Sequence, residues 1–165
     1  MLEQPWNVRG LNDQDRKDTM HETIATSTCQ IVCLQETKLE DISSFDACYI
    51  GGNRSKSFAQ RPALGTRGGI LMLWDDSNVQ ITDVQITKFC LSANVHLLNS
   101  SHEGDFKLTY VYDPTAANRK DDFFADLVAK APVGVRWLAL GDFNQIRRAR
   151  DKNKHNINRS RINRF

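Results

Sequence analysis

Short apolar runs alternate with polar, glycine-containing stretches along the chain, and this pattern predicts a mixture of strands and helices. Four continuous apolar runs of strand type occur, at residues 30–36, 68–74, 106–112 and 135–141. Apolar and polar residues alternate at 79–86 and at 89–97, which predicts two half-buried neighbouring strands that form a hairpin. Glycines, arginines, serines and a proline dominate residues 51–68, and we interpret that stretch as a loop.

Two segments have the apolar spacing of a helix. At 13–27 only Met20 and Ile24 share an apolar face, so the predicted helix is weakly amphipathic. The segment 118–131 is the stronger prediction, with Asn118 as its candidate N-cap. Its acidic first turn and its apolar face consist of Asp121 and Asp122, and of Phe123, Phe124, Leu127 and Val128.

The order of these elements predicts the fold class. Antiparallel hairpins together with at least one strand–helix–strand unit exclude an all-α bundle and do not fit strict β–α alternation. A layered α/β sandwich with mixed sheets is the natural class. The length of 165 residues is that of one domain.

Composition narrows the picture only slightly. Apolar residues make up 40% and charged residues 25% of the chain, which is ordinary for a globular protein. The sequence contains neither an apolar run near the roughly 20 residues that span a bilayer nor a signal-peptide core. We therefore expect an intracellular, non-secreted protein with no membrane partner. Cysteines lack the spacing of a zinc site and are interpreted as buried reduced thiols: Cys29, Cys33, Cys48 and Cys90.

Charge is distributed unevenly along the chain. The net charge is +2, but residues 146–165 carry +7, which leaves −5 for residues 1–145. A basic C-terminal segment is typical either of a phosphate-contacting surface or of a solvated tail, and both interpretations stay open. The candidate nucleic-acid-binding residues in this segment are Arg147, Arg148, Arg150 and Lys152.

Polar side chains follow several of the apolar strands. Glu36 and Tyr112 end two of them, Asp142 and Asn144 follow a third, and Asn7 stands near the start of the chain. Because strand ends position active-site residues in α/β sheets, we expect these five side chains to form one constellation.

The residue types in this set favour one kind of chemistry. Oxygen ligands without a cysteine or histidine cluster suit Mg²⁺, with Mn²⁺ as an alternative, and Glu36 is the candidate ligand. Asp142 could orient or deprotonate an attacking water, and Tyr112 could donate to a phosphate oxygen. Asn7 and Asn144 could hold phosphate oxygens or metal-bound water. The set therefore predicts metal-assisted hydrolysis of a phosphate ester.

Five motifs in this order give the sequence a family resemblance: "WNVRGLN", "VCLQETK", "GTRGGILMLW", "YVYDP" and "LALGDFN". The series resembles the endonuclease/exonuclease/phosphatase superfamily, which has the fold of pancreatic-type deoxyribonuclease. It is most similar to the endonuclease domain of plant LINE-type (non-LTR) retrotransposons. The resemblance implies a four-layer α/β sandwich of two packed mixed sheets flanked by helices. It also implies Mg²⁺-dependent nicking of DNA to prime reverse transcription, with a C-terminal reverse transcriptase in the full element and a nuclear location.

The resemblance also implies roles for single residues. Glu36 matches the metal-binding glutamate, and Tyr112 matches the tyrosine that contacts the scissile phosphate. Asn7 matches an asparagine near the metal and phosphate, and Asp142 and Asn144 match the pair that positions the attacking water. Lys38 falls in the same motif as Glu36, but it is equally consistent with a surface lysine.

The sequence also departs from the family pattern. The family site is completed downstream by a further aspartate and a Ser-Asp-His motif, and neither is found here. Pro5 interrupts the apolar strand that usually leads into "WN", and Asp113 stands where glycine is frequent. We therefore expect residues 1–165 to be one C-terminally truncated domain, nearly inactive and marginally stable by itself. The alternatives are a non-catalytic nucleic-acid-binding remnant and a phosphatase or phosphodiesterase of the superfamily acting on a non-nucleic-acid substrate.

Overall fold

The computed structural model describes residues 3–98, 104–112 and 117–143. These residues form eight strands, three α-helices and one 3-10 turn. In chain order the elements are β1 (Glu3–Asn7), α1 (Gln14–Thr26), β2 (Ile31–Gln35), α2 (Ser44–Gly51), β3 (Ser57–Leu64), β4 (Arg67–Trp74), β5 (Val79–Ile86), β6 (Cys90–Leu97), β7 (Phe106–Tyr112), the 3-10 turn (Ala117–Arg119), α3 (Lys120–Lys130) and β8 (Arg136–Asp142).

The strands form two mixed sheets of four. The first sheet has the order β1-β2-β4-β3, and the second has the order β5-β6-β7-β8. In each sheet one pair is parallel, β1 with β2 and β7 with β8, and these pairs are the ones connected through helices α1 and α3. The remaining pairs are antiparallel, including the predicted β5–β6 hairpin.

Three apolar clusters define the layers of the fold. The largest lies between the sheets, where Ile70 and Met72 of β4 meet Leu91 and Leu108 of the second sheet. A second cluster packs α1 and α2 on the outer face of the first sheet, and a third packs α3 on the outer face of the second. The predicted four-layer α/β sandwich of two packed mixed sheets flanked by helices is confirmed. Strand β4 is an unbroken apolar run because both of its faces are covered.

The helix predictions are confirmed in position but not in every detail. Helix α1 begins after Asp13, whose side chain caps the amide of Arg16 at 2.9 Å, and it buries Met20 and Ile24 as predicted. The predicted Asn118 cap of α3 is wrong. Asn118 lies in the preceding 3-10 turn, and the residue before the helix, Arg119, makes no side-chain cap bond.

The predicted apolar face of α3 is too wide. Phe123 is fully buried, and Phe124 and Leu127 pack against the same cluster. Val128, in contrast, is 71% exposed, so its assignment to the core is wrong. The physical reason is that the third cluster is small and is filled by the first two turns of the helix.

The loop predicted at 51–68 is wrong for most of its length. Residues Ser57–Leu64 form β3, which pairs antiparallel with β4 from Ser57↔Trp74 to Leu64↔Arg67. Strand β3 lies at a sheet edge, where Pro62 is tolerated because one side of the strand needs no ladder partner. Pro5 lies in β1 at the opposite edge for the same reason. Helix α2 was not predicted; Ser43 caps it by accepting from the amide of Asp46 at 3.0 Å.

All four cysteines are free thiols. Cys29, Cys33 and Cys90 are buried, as predicted, whereas Cys48 is half-buried on α2. Burial raises the pKa of the Cys90 thiol to about 12. None of the helices in the described part of the chain combines the length and apolar character needed to cross a membrane.

Candidate active site

Four strands end at one rim of the sandwich, which we define by Asn7, Gln35, Tyr112 and Asp142. Asn7 of β1 pairs with Gln35 of β2, and Tyr112 of β7 pairs with Asp142 of β8. The ends of these two strand pairs are joined by a hydrogen bond between the sheets, which the side-chain amide of Gln35 donates to the carbonyl of Val111. The carboxyl ends of both parallel pairs therefore face the same space, where α/β folds commonly place their sites.

Glu36 leaves β2 in an unusual backbone conformation. Its φ is +54°, and Lys38 has φ +57°, a region that non-glycine residues adopt at a cost. The loop is held there by the amides of Thr37 and Lys38, which donate to the carbonyls of Gly69 at 3.4 Å and Gly68 at 2.9 Å. Strain maintained in this way is typical of functional sites.

Tyr112 connects the two sheets at the rim. Its hydroxyl donates a hydrogen bond of 3.4 Å to Oε1 of Glu36. Burial, followed by the charge and hydrogen bond of Glu36 and the charge of Asp142, raises the pKa of Tyr112, against the opposing charge of Arg61. The phenol is therefore protonated at neutral pH and able to donate to an anion.

Asp142 is directed toward the rim by the packing of its neighbours. Leu138 and Leu140 pack on the core between the sheets, and side chains two residues apart share a face of a strand. Phe143 faces the other way, with its ring 6.3 Å from that of Phe123 in the α3 cluster. The alternation therefore places Asp142 on the inter-sheet face, where its charge acts on the Tyr112 hydroxyl.

Gly141 allows the close contact beneath this carboxylate. Its φ is +127°, and a Cβ at this position would overlap the carbonyl oxygen of Val111 and lie 2.7 Å from Nε2 of Gln35. Only glycine fits between β8 and the Gln35 bridge. Gln35 was missed by sequence reasoning, although a polar residue inside the apolar run 31–35 is a signal that it makes a buried contact.

Asn7 lies at the same rim, one strand away from Glu36. Its side chain is exposed and accepts a hydrogen bond from the amide of Arg9 at 3.2 Å. The other predicted site residues, Asn144, Arg147, Arg148, Arg150 and Lys152, lie outside the described residues. The structure thus brings Glu36, Tyr112 and Asp142 together and places Asn7 beside them.

The donor set at the rim fits a hard divalent cation. Tyr112 donates to Glu36 and is paired with Asp142 in the sheet, so both carboxylates belong to residues beside Tyr112. Mg²⁺ typically takes one or two carboxylates and keeps several waters. No group of three or more His, Cys, Asp or Glu side chains converges anywhere in residues 3–98, 104–112 and 117–143. An ion at this rim would be held by Glu36, with Asp142 beside it.

A cleft of about 380 Å³ opens beside Glu36 and Tyr112. Four of its lining residues are basic, and Glu36 is its one acidic lining residue among those described. The basic residues come from the loop after β2, from β3 and β4, and from the 3-10 turn: Lys38, Arg61, Arg67 and Arg119. Such a surface attracts an anionic ligand toward the rim.

Residues 6–164 match the sequence profile of the Endonuclease/Exonuclease/phosphatase family. The chain belongs to this family. No curated protein sequence matches the chain.

Solved structures of similar fold include an AP endonuclease, a TDP2 and a Nocturnin catalytic domain. The AP endonuclease LMAP from Leishmania major is 16% identical with a TM-score of 0.66, over 92% of this chain and 57% of its own. TDP2 of D. rerio, complexed with single strand DNA product, is 20% identical with a TM-score of 0.59, over 86% and 60%. The human Nocturnin catalytic domain with bound sulfate is 16% identical with a TM-score of 0.58, over 86% and 62%.

These likenesses establish the fold shared by the endonuclease/exonuclease/phosphatase family. The chain spans 57–62% of the length of these three structures.

Proposed function

We propose that this endonuclease/exonuclease/phosphatase chain is the core of a Mg²⁺-dependent DNA endonuclease of the LINE retrotransposon type. The observation that carries the proposal is the meeting of Glu36, Tyr112 and Asp142 at one rim, beside a basic cleft. Likeness to an AP endonuclease and to a TDP2 bound to DNA product supports a nucleic-acid strand as the substrate. The motif series, "WNVRGLN" and "GTRGGILMLW" above all, supports the retrotransposon type.

Each rim residue has a proposed role in cleaving the phosphodiester. Glu36 holds the ion, and Tyr112, which is protonated at neutral pH, donates to a non-bridging phosphate oxygen as charge develops. Asp142 orients the attacking water and accepts its proton. Asn7, and Asn144 beyond the described residues, hold the phosphate in line. A bound Mg²⁺ would supply Lewis-acid polarisation of the phosphate.

A second candidate function is nucleic-acid binding without cleavage. The excess of basic over acidic residues in the cleft favours it, as does the charge of +7 in residues 146–165. Arg147, Arg148, Arg150 and Lys152 are the proposed phosphate contacts there. Binding of this kind weakens steeply with added salt, whether or not the nucleic-acid strand is cleaved.

The test is nicking of supercoiled plasmid in Mg²⁺ and in EDTA. Because the chain spans 57–62% of the solved family members, we would assay the chain and a chimera that adds a family member's C-terminal segment. Nicking should require Mg²⁺ and should fall by roughly a hundredfold or more in Glu36→Gln or Asp142→Asn. The exposed Asp41→Asn is the matched control and should leave the rate unchanged.

Two further results would decide between the candidates. A LINE-type nick must leave a 3′-hydroxyl that primes synthesis, so a DNA polymerase should extend the nicked product directly. A chimera that binds DNA but does not nick it, with Glu36→Gln and Asp142→Asn indistinguishable from the parent, would favour the binding function instead. Cleavage of inositol-phosphate or lipid phosphodiesters, with DNA neither cut nor bound, would overturn both.

A further inference from the structure

Arg61 is a buried cation, and one nitrogen of its guanidinium has no hydrogen-bond partner among the described residues. It lies on β3 and is 8% exposed. Its Nε donates to the carbonyl of Thr87 at 3.1 Å, and its Nη2 donates to the carbonyl of Lys88. These carbonyls lie between β5 and β6, so the two bonds connect the edge of the first sheet to the second. The remaining nitrogen, Nη1, is buried and has no hydrogen-bond partner among the described residues.

An unmet donor on a buried guanidinium is costly, and native proteins rarely retain one without a use. Burial lowers the pKa of Arg61, and nearby Arg119 acts in the same direction, while Asp126 and Tyr112 oppose them. A guanidinium nevertheless stays charged throughout the ordinary pH range. Two backbone carbonyls bind it, but neither carries the full negative charge that would neutralise it. An anion at Nη1 would satisfy both the hydrogen bond and the charge.

The position of Gly68 shows where that anion would approach. A Cβ on Gly68 would stand 3.7 Å from Nη1 of Arg61 and 3.5 Å from Cε1 of Tyr112. Since glycine has no such atom, the space between the guanidinium and the Tyr112 ring stays open. Arg61, Gly68 and Tyr112 all line the cleft, so the buried Nη1 lies directly beneath the surface that a ligand at the rim would contact.

The other cleft cations surround the same opening. Lys38 and Arg67 stand on its sides, and Arg119 is held with its guanidinium 5.3 Å from the ring centre of Phe89. Planar guanidinium groups recognise phosphate oxygens through directed, charge-assisted hydrogen bonds, which a lone lysine would not do.

We infer that Arg61 Nη1 is the floor of a phosphate-binding subsite, with Lys38, Arg67 and Arg119 as its walls. Its ligand is a phosphodiester group of the bound strand, next to the group held by Glu36 and Tyr112. The inference rests on the proposed function for the nature of the strand, whereas the anion chemistry follows from the guanidinium itself.

The first test uses the full chain in EDTA, so that it does not depend on cleavage. The Nε–Hε resonance of Arg61, assigned by its loss in Arg61→Lys, would be followed by NMR during titration with inorganic phosphate and, separately, with a ten-residue oligothymidylate. Saturable shifts with the oligonucleotide support the subsite. Shifts with phosphate as well indicate that a free phosphate group also enters it. If neither ligand moves the resonance, Nη1 binds only water and the inference is overturned.

The second test compares variants by fluorescence anisotropy with the same labelled oligonucleotide. Arg61→Lys keeps the positive charge but loses the planar set of guanidinium donors. It should bind the oligonucleotide roughly tenfold to a hundredfold more weakly. Arg136→Lys is the matched control, since Arg136 binds the carbonyl of Gly104 at the far end of β8. Equal affinities for both variants would overturn the subsite. Arg67→Gln should lower the slope of log K against log salt by about 0.7.

The two proposals fail separately in these experiments. If the chain never nicks DNA but its Arg61 resonance shifts with oligonucleotide, the endonuclease proposal is overturned and the subsite is supported. If the chain nicks DNA but neither phosphate nor oligonucleotide shifts the Arg61 resonance, the endonuclease proposal is supported and the subsite is overturned. If Arg61→Lys does not fold, the resonance can be assigned by triple-resonance spectra of the parent chain, and the NMR titration decides alone.

Discussion

The Tyr112 hydroxyl donates a 3.4 Å hydrogen bond to the Glu36 carboxylate, which joins the end of β7 in the second sheet to the loop that follows β2 of the first. The bond therefore reports both the protonation of the phenol and the docking of the sheets. Because Asp142 also acts on this hydroxyl, one titration probes three rim residues at once.

Tyr112 should titrate at a higher pH than an ordinary tyrosine. Its folded pKa is raised above the unfolded value of about 10. Its contribution to stability is therefore fully present below pH 10 and is lost as the pH rises through the folded pKa. Absorbance at 295 nm during alkaline titration, with urea unfolding at pH 9 and pH 11, measures both effects. Tyr112→Phe should remove the late-titrating step.

Tyr49→Phe is the control for that titration. The pKa of Tyr49 is also raised, chiefly by its hydrogen bond to Asp18, but Tyr49 lies on α2 away from the rim. This variant should remove a different alkaline step and leave DNA nicking unchanged. A Tyr112 that ionises at or below pH 10 would contradict its burial beside Glu36 and Asp142.

Mg²⁺ should stabilise the folded chain through Glu36. An ion that binds only the folded state adds about 2.7 kcal/mol at a concentration a hundred times its Kd. For a chain of this size that corresponds to a rise in Tm of roughly 5–10 °C. Thermal unfolding with Mg²⁺, and again after EDTA, checks this expectation. Glu36→Gln should abolish the rise.

The exposed Glu40→Gln is the matched control, since it removes one carboxylate from the same loop. It should retain the full rise in Tm. An equal rise in all three proteins would show that the ion binds elsewhere, and the assignment of Glu36 as its ligand would fall.

Gly141→Ala should be strongly destabilising. The new methyl group would overlap the Val111 carbonyl oxygen at a φ of +127°. Overpacking costs roughly 1–3 kcal/mol, and the strained backbone costs about 1–3 kcal/mol more. Urea unfolding measures the loss. Gly65→Ala, at φ +59° with nothing within 4 Å, isolates the backbone part and should cost only about 1–2 kcal/mol. Equal losses would mean that the overlap is relieved without cost.

Phe123→Ala should also destabilise the chain, by about 3–5 kcal/mol. Phe123 is fully buried and contacts the rings of Phe89, Phe124 and Phe143 at 5.4–6.3 Å. Phe143 directly follows Asp142 and packs in this cluster, so we expect nicking by the folded fraction to fall too. Phe45→Ala is the control, because Phe45 is 79% exposed and should change stability by less than about 0.5 kcal/mol. Full activity in the folded fraction of Phe123→Ala would show that the packing of the α3 cluster does not affect the site.

Most of the strands could be predicted because a strand buried on both faces is a continuous apolar run in the sequence. Strands β2 and β4 are covered on both faces, so each is an apolar run readable without any partner. Strand β3 could not be predicted in this way. Its conformation is imposed by pairing with β4, and its own sequence contains Arg61 and Pro62, which are typical of loops.

The site divides along the same line. Glu36, Tyr112 and Asp142 stand at the ends of apolar runs, so their meeting at one rim could be predicted, while their catalytic roles stay a prediction. The sequence shows only that Gln35 is a polar residue in an apolar run, and neither its partner nor that of Arg61 could be predicted. Each acts through backbone carbonyls that are distant in the chain, 76 residues away for Gln35 and 26 or 27 for Arg61.

The bridge from Gln35 to Val111 has a consequence for the order of folding. It joins residues 76 positions apart, so the rim depends on a contact that closes a long loop. Each sheet can form from its own hairpins and strand–helix–strand unit before that loop closes. We therefore expect the rim residues to come together last, when the sheets dock. During synthesis, the ribosome must release β8, which carries Asp142, before Glu36, Tyr112 and Asp142 can come together at the rim.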